Sequence, residues 1–459
     1  MDLRERIHTT PMTARQWGIA LICIVLTAIE GYEFAVMLFV LPTLAAEWKL
    51  PLVTSGYLLS ASIFGMTAGA LLVAPWADRI GRRPHIMMCL TGAAACMALT
   101  GWAGNVPSLL AARAVAGLWL GAMSSSIGCI ATEYASIRQR GIVLGIYGVG
   151  LPLGALIGGA ATGWMIAHWS WRGPFYLTSV ASAAALVLVY FALPESIDYL
   201  VERRPRNALR IYNRIARRLG HRDEDHLPQP RGDLTRVASA SRLFTGVLLP
   251  RTILLWISFG LLYGVFAFTG SWTPKLLADA GGGAAAGRQA GVLLALGGII
   301  GSLAFAAIAS RCKPRLITAT MLVAGLPCYL AFASLYKTSM MPLTALLIGL
   351  VAAGGIAAFS AVILTVYPTA IRSTAFGLTL GVARGVSILV PVIMGYLLQA
   401  GLTMQTAYRG AGWMIALAGL LLFVVHATYH GRSEDPDRSN EALRVQPVVP
   451  FDERLPAEH

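Results

Sequence analysis

Glu30 and Glu33 stand three residues apart near the middle of an apolar run from Trp17 to Pro42. At that spacing they lie on nearly one face of a helix. A carboxylate at the centre of a membrane span costs about 2.5–3.5 kcal/mol, so two of them require a compensating role. Their face is expected to look into a protein interior or a watery cavity, where a carboxyl can take up and release a proton. Two arginines share the problem with opposite sign. Arg113 lies in Arg113-Ala-Val-Ala-Gly117-Leu-Trp-Leu-Gly121, where small residues at four-residue spacing let a neighbouring helix approach closely. It needs an anionic or carbonyl partner, and an ion pair with Glu30 would serve. Arg384, in Gly381-Val-Ala-Arg384-Gly385, has no acidic residue in the later apolar runs to pair with. Either it reaches the early glutamates or it awaits an anionic substrate, since a guanidinium suits two-pronged carboxylate binding.

Other chemistry is poorly supplied. The six cysteines (Cys23, Cys89, Cys96, Cys129, Cys312 and Cys328) form no Cys-x-x-Cys pair and read as reduced packing residues. None of the eight histidines lies mid-span. The raw material of a zinc site or a Ser/His/Asp arrangement is therefore missing, so no enzyme, metal or cofactor is expected.

The elements that must position these charges are membrane spans. The chain has 459 residues, of which 56% are hydrophobic and only 13% charged, with a mean hydropathy of +0.65. That composition excludes an ordinary soluble protein and indicates an all-α polytopic membrane protein. The net charge of +14 does not point to nucleic acid, because the arginines cluster in short segments between apolar runs. Apolar runs recur at 17–42, 52–76, 85–104, 107–130, 142–167 and 173–193, and again at 250–277, 288–309, 316–336, 341–366, 373–400 and 410–430. The expected domains are an N-terminal segment 1–16, a six-helix bundle 17–193, a linker 194–249, a second bundle 250–430 and a disordered tail 431–459. No cleavage pattern closes the first apolar run, so it is expected to stay as a span. Within the linker, Ile197, Leu200, Leu209, Ile211 and Ile215 are spaced as an amphipathic surface helix over Ser196 to Leu219. The arginines fall in alternate loops together with the N-terminus, which places both termini and the linker in the cytoplasm by the positive-inside rule. Tyr134-Ala-Ser-Ile-Arg138 and Tyr367-Pro-Thr-Ala-Ile-Arg372, about 233 residues apart, open the fifth span of each half and indicate a parallel repeat.

Two further stretches constrain motion. Asp78-Arg79-Ile-Gly81-Arg82-Arg83 reads as a tight turn at Gly81, with Asp78 closing a helix and the arginines in headgroup space. Ser310-Arg-Cys-Lys-Pro-Arg315 is its second-half counterpart without the aspartate and glycine. The fifth span, with Gly148, Gly150, Pro152, Gly154, Gly158 and Gly159, reads as a close-packing, bendable helix against the other half, with no ligand contact. Tyr32, Phe34, Phe64, Tyr147, Tyr263, Phe266, Phe268, Trp272 and Phe359 lie at depths where they could wall a cavity. Around one cation they would suit a flat ring bearing a carboxylate.

Residues 15–430 resemble the aromatic acid:proton symporter family of the major facilitator superfamily. The matches are the acidic-Gly-Tyr-acidic stretch Glu30–Glu33, the Asp78–Arg83 loop, Glu133-Tyr134 with Arg138 and Arg140, Ser271-Trp272-Thr-Pro274 with Ala280-Gly281, and Tyr367 to Thr374 followed by Arg384. The resemblance implies twelve spans in two six-helix bundles, and import of benzoate-, hydroxybenzoate- or phenylpropanoate-like anions with protons across a bacterial-type inner membrane. It implies proton coupling at Glu30, Glu33, Arg113 and Glu133, and substrate binding at Arg384 with Tyr32, Phe266, Trp272 and Phe359. It also implies a conformational latch of Asp78, Arg79, Gly81, Arg82, Arg83 and Arg372. A monomer is expected. The family pattern has Asp where Glu30 and Glu33 stand, and the added methylene bears on substrate shape. The alternatives are a transporter of another organic anion or sugar-like solute, an exporter, or a non-transporting sensor with the linker as its output.

Overall fold

The computed structural model describes residues 2–229, 243–244, 248–309, 313–367 and 372–428. A short helix α1 (Leu3–Thr9) precedes the first span, α2 (Ala14–Glu47), which opens on a capping box between Thr13 and Gln16. The first half continues with α3 (Leu52–Leu72), a 3-10 turn at Ala74–Trp76, α4 (Ala77–Ile80), α5 (Arg82–Trp102), α6 (Val106–Glu133), α7 (Arg140–Trp169) and α8 (Gly173–Ala192). The linker supplies α9 (Ile197–Arg203) and α10 (Ala208–Leu219). The second half holds α11 (Leu248–Leu277), α12 (Gly283–Ala309), α13 (Pro314–Leu335), α14 (Met341–Val366), α15 (Arg372–Gln399) and α16 (Met404–Ala427). Among the described residues eleven apolar stretches are long enough to cross a membrane, and one of them, Leu248–Phe305, is two helices. A π turn at Ala278–Gly282 divides it, with Gly281 at φ +97°, a conformation glycine adopts without strain. That makes twelve spans, six in each half, alternating in direction. Tyr134 caps α6 as Tyr367 caps α14, so the two halves place their repeated motif alike.

The linker differs from the single amphipathic helix its spacing indicates. Arg204 takes a left-handed conformation (φ +48°) and breaks the segment into α9 and α10. Their apolar faces turn into the protein: Leu200, Tyr212 and Ile215 are buried in the core of the first half. The same core buries Leu3 and Ile7 of α1, and Leu3 N–H donates to the Tyr212 hydroxyl at 3.2 Å. Protein, not lipid, covers the hydrophobic stripe.

Glycines set the close approaches inside the first half. A Cβ at Gly117 or Gly121 of α6 would collide with the Ser62 or Met66 carbonyls of α3, so the spacing after Arg113 serves the α3–α6 contact. The glycine stripe of α7 serves a different partner from the one expected. Gly154 lies against the Ala28 carbonyl and Gly158 against the Tyr32 ring, both on α2 of the same half. α7 and α2 are neighbours within the bundle, and α7 also packs on α12 of the second half, where Gly163 meets Arg288.

The halves join at the side of the molecule opposite α1. There the Tyr57 and Tyr396 hydroxyls are 3.2 Å apart, Ser60 donates to the Ile388 carbonyl at 2.7 Å, and Gly56 packs on the Pro391 carbonyl. Toward the α1 side, open space lies beside Gly148 of α7 and Gly377, Gly381 and Gly385 of α15.

Candidate functional site

Between the halves lies a cavity in two adjoining lobes of about 290 and 340 Å³. Phe34, Leu38, Leu151, Phe266, Gly270 and Ile356 border both. The first lobe is walled by Phe34, Met37 and Leu38 of α2, Leu59, Ser62 and Met66 of α3, Tyr263, Phe266 and Ser271 of α11, and Arg384 and Ser387 of α15. The second is lined mainly by small and apolar residues of α7, α12 and α14, such as Pro152, Ala155, Ala295, Gly298, Ala352 and Ala353. Gly148, Leu151 and Pro152 thus border the cavity, although no ligand contact is expected of the fifth span from its residues.

Arg384 is the cation of this space. It is half-buried, lines the first lobe and, among the described residues, makes no ion pair or hydrogen bond. Its charge reaches Tyr263 across the lobe and Glu30 behind the wall. Glu30 is buried in α2 and accepts a hydrogen bond from the Ser124 hydroxyl of α6. Glu33, equally buried, accepts from Ser182 of α8, while its Oε2 has no hydrogen-bond partner among the described residues. The two acids share one side of α2 yet face different neighbours, and protein rather than open cavity surrounds both.

Arg113 backs the first lobe but is itself fully enclosed. Its Nη2 donates to the Glu33 main-chain carbonyl at 3.2 Å, its Nη1 meets the Met97 sulfur, and its guanidinium stands 5.8 Å from the Phe175 ring. The partner is thus a carbonyl, not an ion pair with Glu30. The carboxylate of Glu33 adds attraction at longer range.

Glu133 lies elsewhere. It sits nine residues beyond Ser124 on α6, about 14 Å along the helix. There it accepts from Ser196 Oγ at 2.8 Å and from Ile197 N–H at 3.0 Å, which caps α9. The structure does not bring it to Glu30 or Glu33.

Of the aromatic residues expected to hold substrate, Phe266 lines both lobes, and Tyr32, Trp272 and Phe359 do not. Tyr32 bonds Thr162 at 3.1 Å inside the first half, Trp272 donates to the Pro391 carbonyl at 3.2 Å, and Phe359 stacks on Phe259 with centroids 4.5 Å apart. Each is spent on packing within its own half. Phe64 is more than half exposed on the outer surface, while Phe34 and Tyr263 do wall the cavity. Depth along a span was legible in the sequence, whereas the direction each ring faces was not.

The loop after α3 is closed by its own ion pair, Asp78 to Arg82 at 2.9 Å, across Gly81 at φ +102°. It is tied to α9: Arg203 Nε donates to the Asp78 carbonyl at 3.1 Å and the Tyr199 hydroxyl to the Arg79 carbonyl at 3.4 Å. Arg83 bonds the Tyr190 carbonyl, and its N–H donates to Glu195 at 3.1 Å. Burial holds the Glu195 carboxyl above the ordinary glutamate range despite these bonds. Arg372 opens α15, but its side chain, the stretch 368–371 and residues 310–312 lie outside the described residues. So do residues 429–459, with the expected tail.

Twelve spans in two halves among the described residues, enclosing a largely apolar cavity with Arg384 in its wall and Arg113 behind it, define a membrane transporter of the two-bundle type. The chain belongs to the Major Facilitator Superfamily, whose family model matches residues 23–348 and 289–455. It is 28% identical over 454 residues to a gallate transporter of Pseudomonas putida, covering 98% of this chain and 97% of that one. It is also 28% identical over 389 residues to the 4-hydroxybenzoate transporter PcaK of Acinetobacter baylyi, covering 84% and 85%. In fold it is similar to the xylose transporter XylE from E. coli, at a TM-score of 0.66 and 15% identity over 90% of this chain and 98% of that one. The chain is thus a transporter, not an enzyme, and its sequence relatives carry aromatic acids.

Proposed function

We propose that this protein is a secondary active transporter that imports a small aromatic carboxylate together with protons by alternating access. The observation that carries this reading is Arg384. A guanidinium without a hydrogen-bond or ion-pair partner among the described residues stands in a lobe of about 290 Å³ walled mainly by Phe34, Phe266, Tyr263 and aliphatic side chains, with the hydroxyls of Ser62, Thr67, Ser271 and Ser387 and the enclosed Arg113 behind. A flat anion supplies the missing carboxylate and fits the aromatic wall. Tyr263 faces the same space and adds a hydroxyl donor. The names of the sequence relatives support the substrate class.

Proton coupling falls to Glu30 and Glu33, because buried intramembrane carboxylates are costly and mark proton relays. Glu30 is the coupling residue of the pair, since it alone lies within reach of the Arg384 charge. Arg113 positions the α2 backbone beside Glu33 through its carbonyl bond. Glu133 and the Asp78–Arg83 loop belong to the latch, where they tie α4, α5 and α6 to α9. The termini and linker are cytoplasmic in this reading, so the contact at Tyr57–Tyr396 closes the outer side.

The test is uptake into proteoliposomes with an imposed pH gradient, across a panel of benzoates, hydroxybenzoates and phenylpropanoates. The expected result is accumulation of at least one aromatic acid that collapses with the gradient. Transport of an aliphatic acid or sugar with no response to any aromatic acid overturns the substrate class. Binding without flux supports a sensor instead.

A further inference from the structure

A second charged feature lies outside the transport path, where the last turns of α10 meet the first turn of α2. A shallow groove of about 440 Å³ is lined there by Arg15, Arg214, Arg217 and Arg218. Its origin is the amphipathic character of α10. That helix buries Ala208, Tyr212, Ile215, Ala216 and Leu219 against the bundle, so its arginines turn outward. The Arg15 guanidinium donates to the Arg218 main-chain carbonyl, which holds the end of α10 level with the start of α2. Among the described residues one carboxylate pairs with the four, Asp223 at 3.2 Å from Arg217. Four positive charges less one leave a local charge of three.

The groove lies at the height where α2 begins to expose an apolar stripe, on another face of that helix. Trp17, Leu21 and Val25 follow Arg15 on α2 at about four-residue spacing and are 36%, 60% and 37% exposed. The hydrocarbon-facing surface therefore begins within one turn of the cations. A cationic concavity at the membrane-entry end of a lipid-facing span matches a ligand with an anionic head and an acyl tail. A soluble anion would use only the first of these two features.

We propose that this groove binds the headgroup of an anionic phospholipid in the leaflet on the α1 side. The phosphate sits among Arg15, Arg214, Arg217 and Arg218, and the acyl chains enter the hydrocarbon layer that begins at this height of α2. The proposal does not depend on the transported substrate or on which side is cytoplasmic. Occupancy joins the linker to the first span by a bridge of non-protein charge, beside the bond the arginines already make.

The experiment is native mass spectrometry of the purified full chain with phosphatidylglycerol or phosphatidylcholine of the same acyl chains, and with inorganic phosphate as competitor. Phosphatidylglycerol is expected to be retained in preference to phosphatidylcholine. Arg214→Gln, Arg217→Gln and Arg218→Gln should each weaken retention about fivefold. Arg210→Gln, on the same helix but outside the groove, should leave it unchanged, and millimolar phosphate should not displace the lipid. Each single variant leaves the buried face of α10 intact, so loss of retention reads the groove and not the fold. Equal retention of the two lipids, retention by the groove variants equal to wild type, or full displacement by phosphate overturns the proposal.

Discussion

Arg384 and Glu30 lie in opposite halves of the molecule, and the charge of the first reaches the carboxyl of the second. The guanidinium lines the central cavity, and the carboxyl, held by Ser124 behind the wall, lies within reach of its charge. A cation of one half thereby acts on a buried carboxyl of the other. Any movement of the halves changes the field that each feels.

Arg384→Ala should abolish uptake, and Arg384→Lys should retain charge but lose the two-pronged geometry. Loss of a charge-assisted pair corresponds to a weakening of about 10- to 100-fold in substrate affinity. Tyr263→Phe should weaken binding less, by about three- to tenfold, with the maximal rate preserved. Substrate titration of intrinsic tryptophan fluorescence reads both effects. Unchanged affinity in Arg384→Ala would remove this residue from the site.

Glu30→Gln should eliminate accumulation driven by a pH gradient while leaving exchange of labelled for unlabelled substrate. The same change at Glu33 should also lower stability, because its carboxyl sits in the bundle core beside Arg113 and Ser182. Proteoliposome uptake with and without the gradient separates coupling from carriage. Undiminished gradient dependence in Glu30→Gln is the result that rules out its role.

Gly56 meets the Pro391 carbonyl at the joined side, where an added Cβ would lie at 2.5 Å. Gly56→Leu should hold this side apart and slow transport more than tenfold. The fold should survive with a loss of about 1–3 kcal/mol, the usual cost of overpacking. Labelling of a cysteine placed at Tyr57 should rise in this background, and unchanged labelling would show that the contact does not gate access.

Glu195 gives the Asp78–Arg83 loop a pH dependence. Its carboxyl titrates above the ordinary range in the folded protein because burial disfavours the charge. Its contribution to stability is therefore fully present below about pH 4.3, the unfolded value, and is lost as pH rises through the folded value. Glu195→Gln can still accept from Arg83 and Ser196 and should flatten that decline. Melting temperature against pH for the two proteins measures it, and identical slopes would mean the carboxyl is not the source.

The periodicity of apolar runs determined the number of spans, and the repeat around Tyr134 and Tyr367 determined that the halves are alike. Composition and the cost of charge in a membrane singled out Glu30, Glu33, Arg113 and Arg384, because a buried charge is costly wherever its span ends up. Only tertiary packing decided what each charge meets. It gave Arg113 the Glu33 carbonyl rather than a carboxylate, and sent Glu133 to cap α9. It also buried Tyr32, Trp272 and Phe359 within their halves while leaving Phe34, Tyr263 and Phe266 in the wall. The reason is geometric: sequence spacing fixes depth along a helix axis, but rotation about that axis is set by the neighbouring helices. Those contacts, such as Gly154 on Ala28 and Gly117 on Ser62, join residues far apart in the chain. The linker makes the same point, since its apolar stripe was legible while the protein surface that covers it was not.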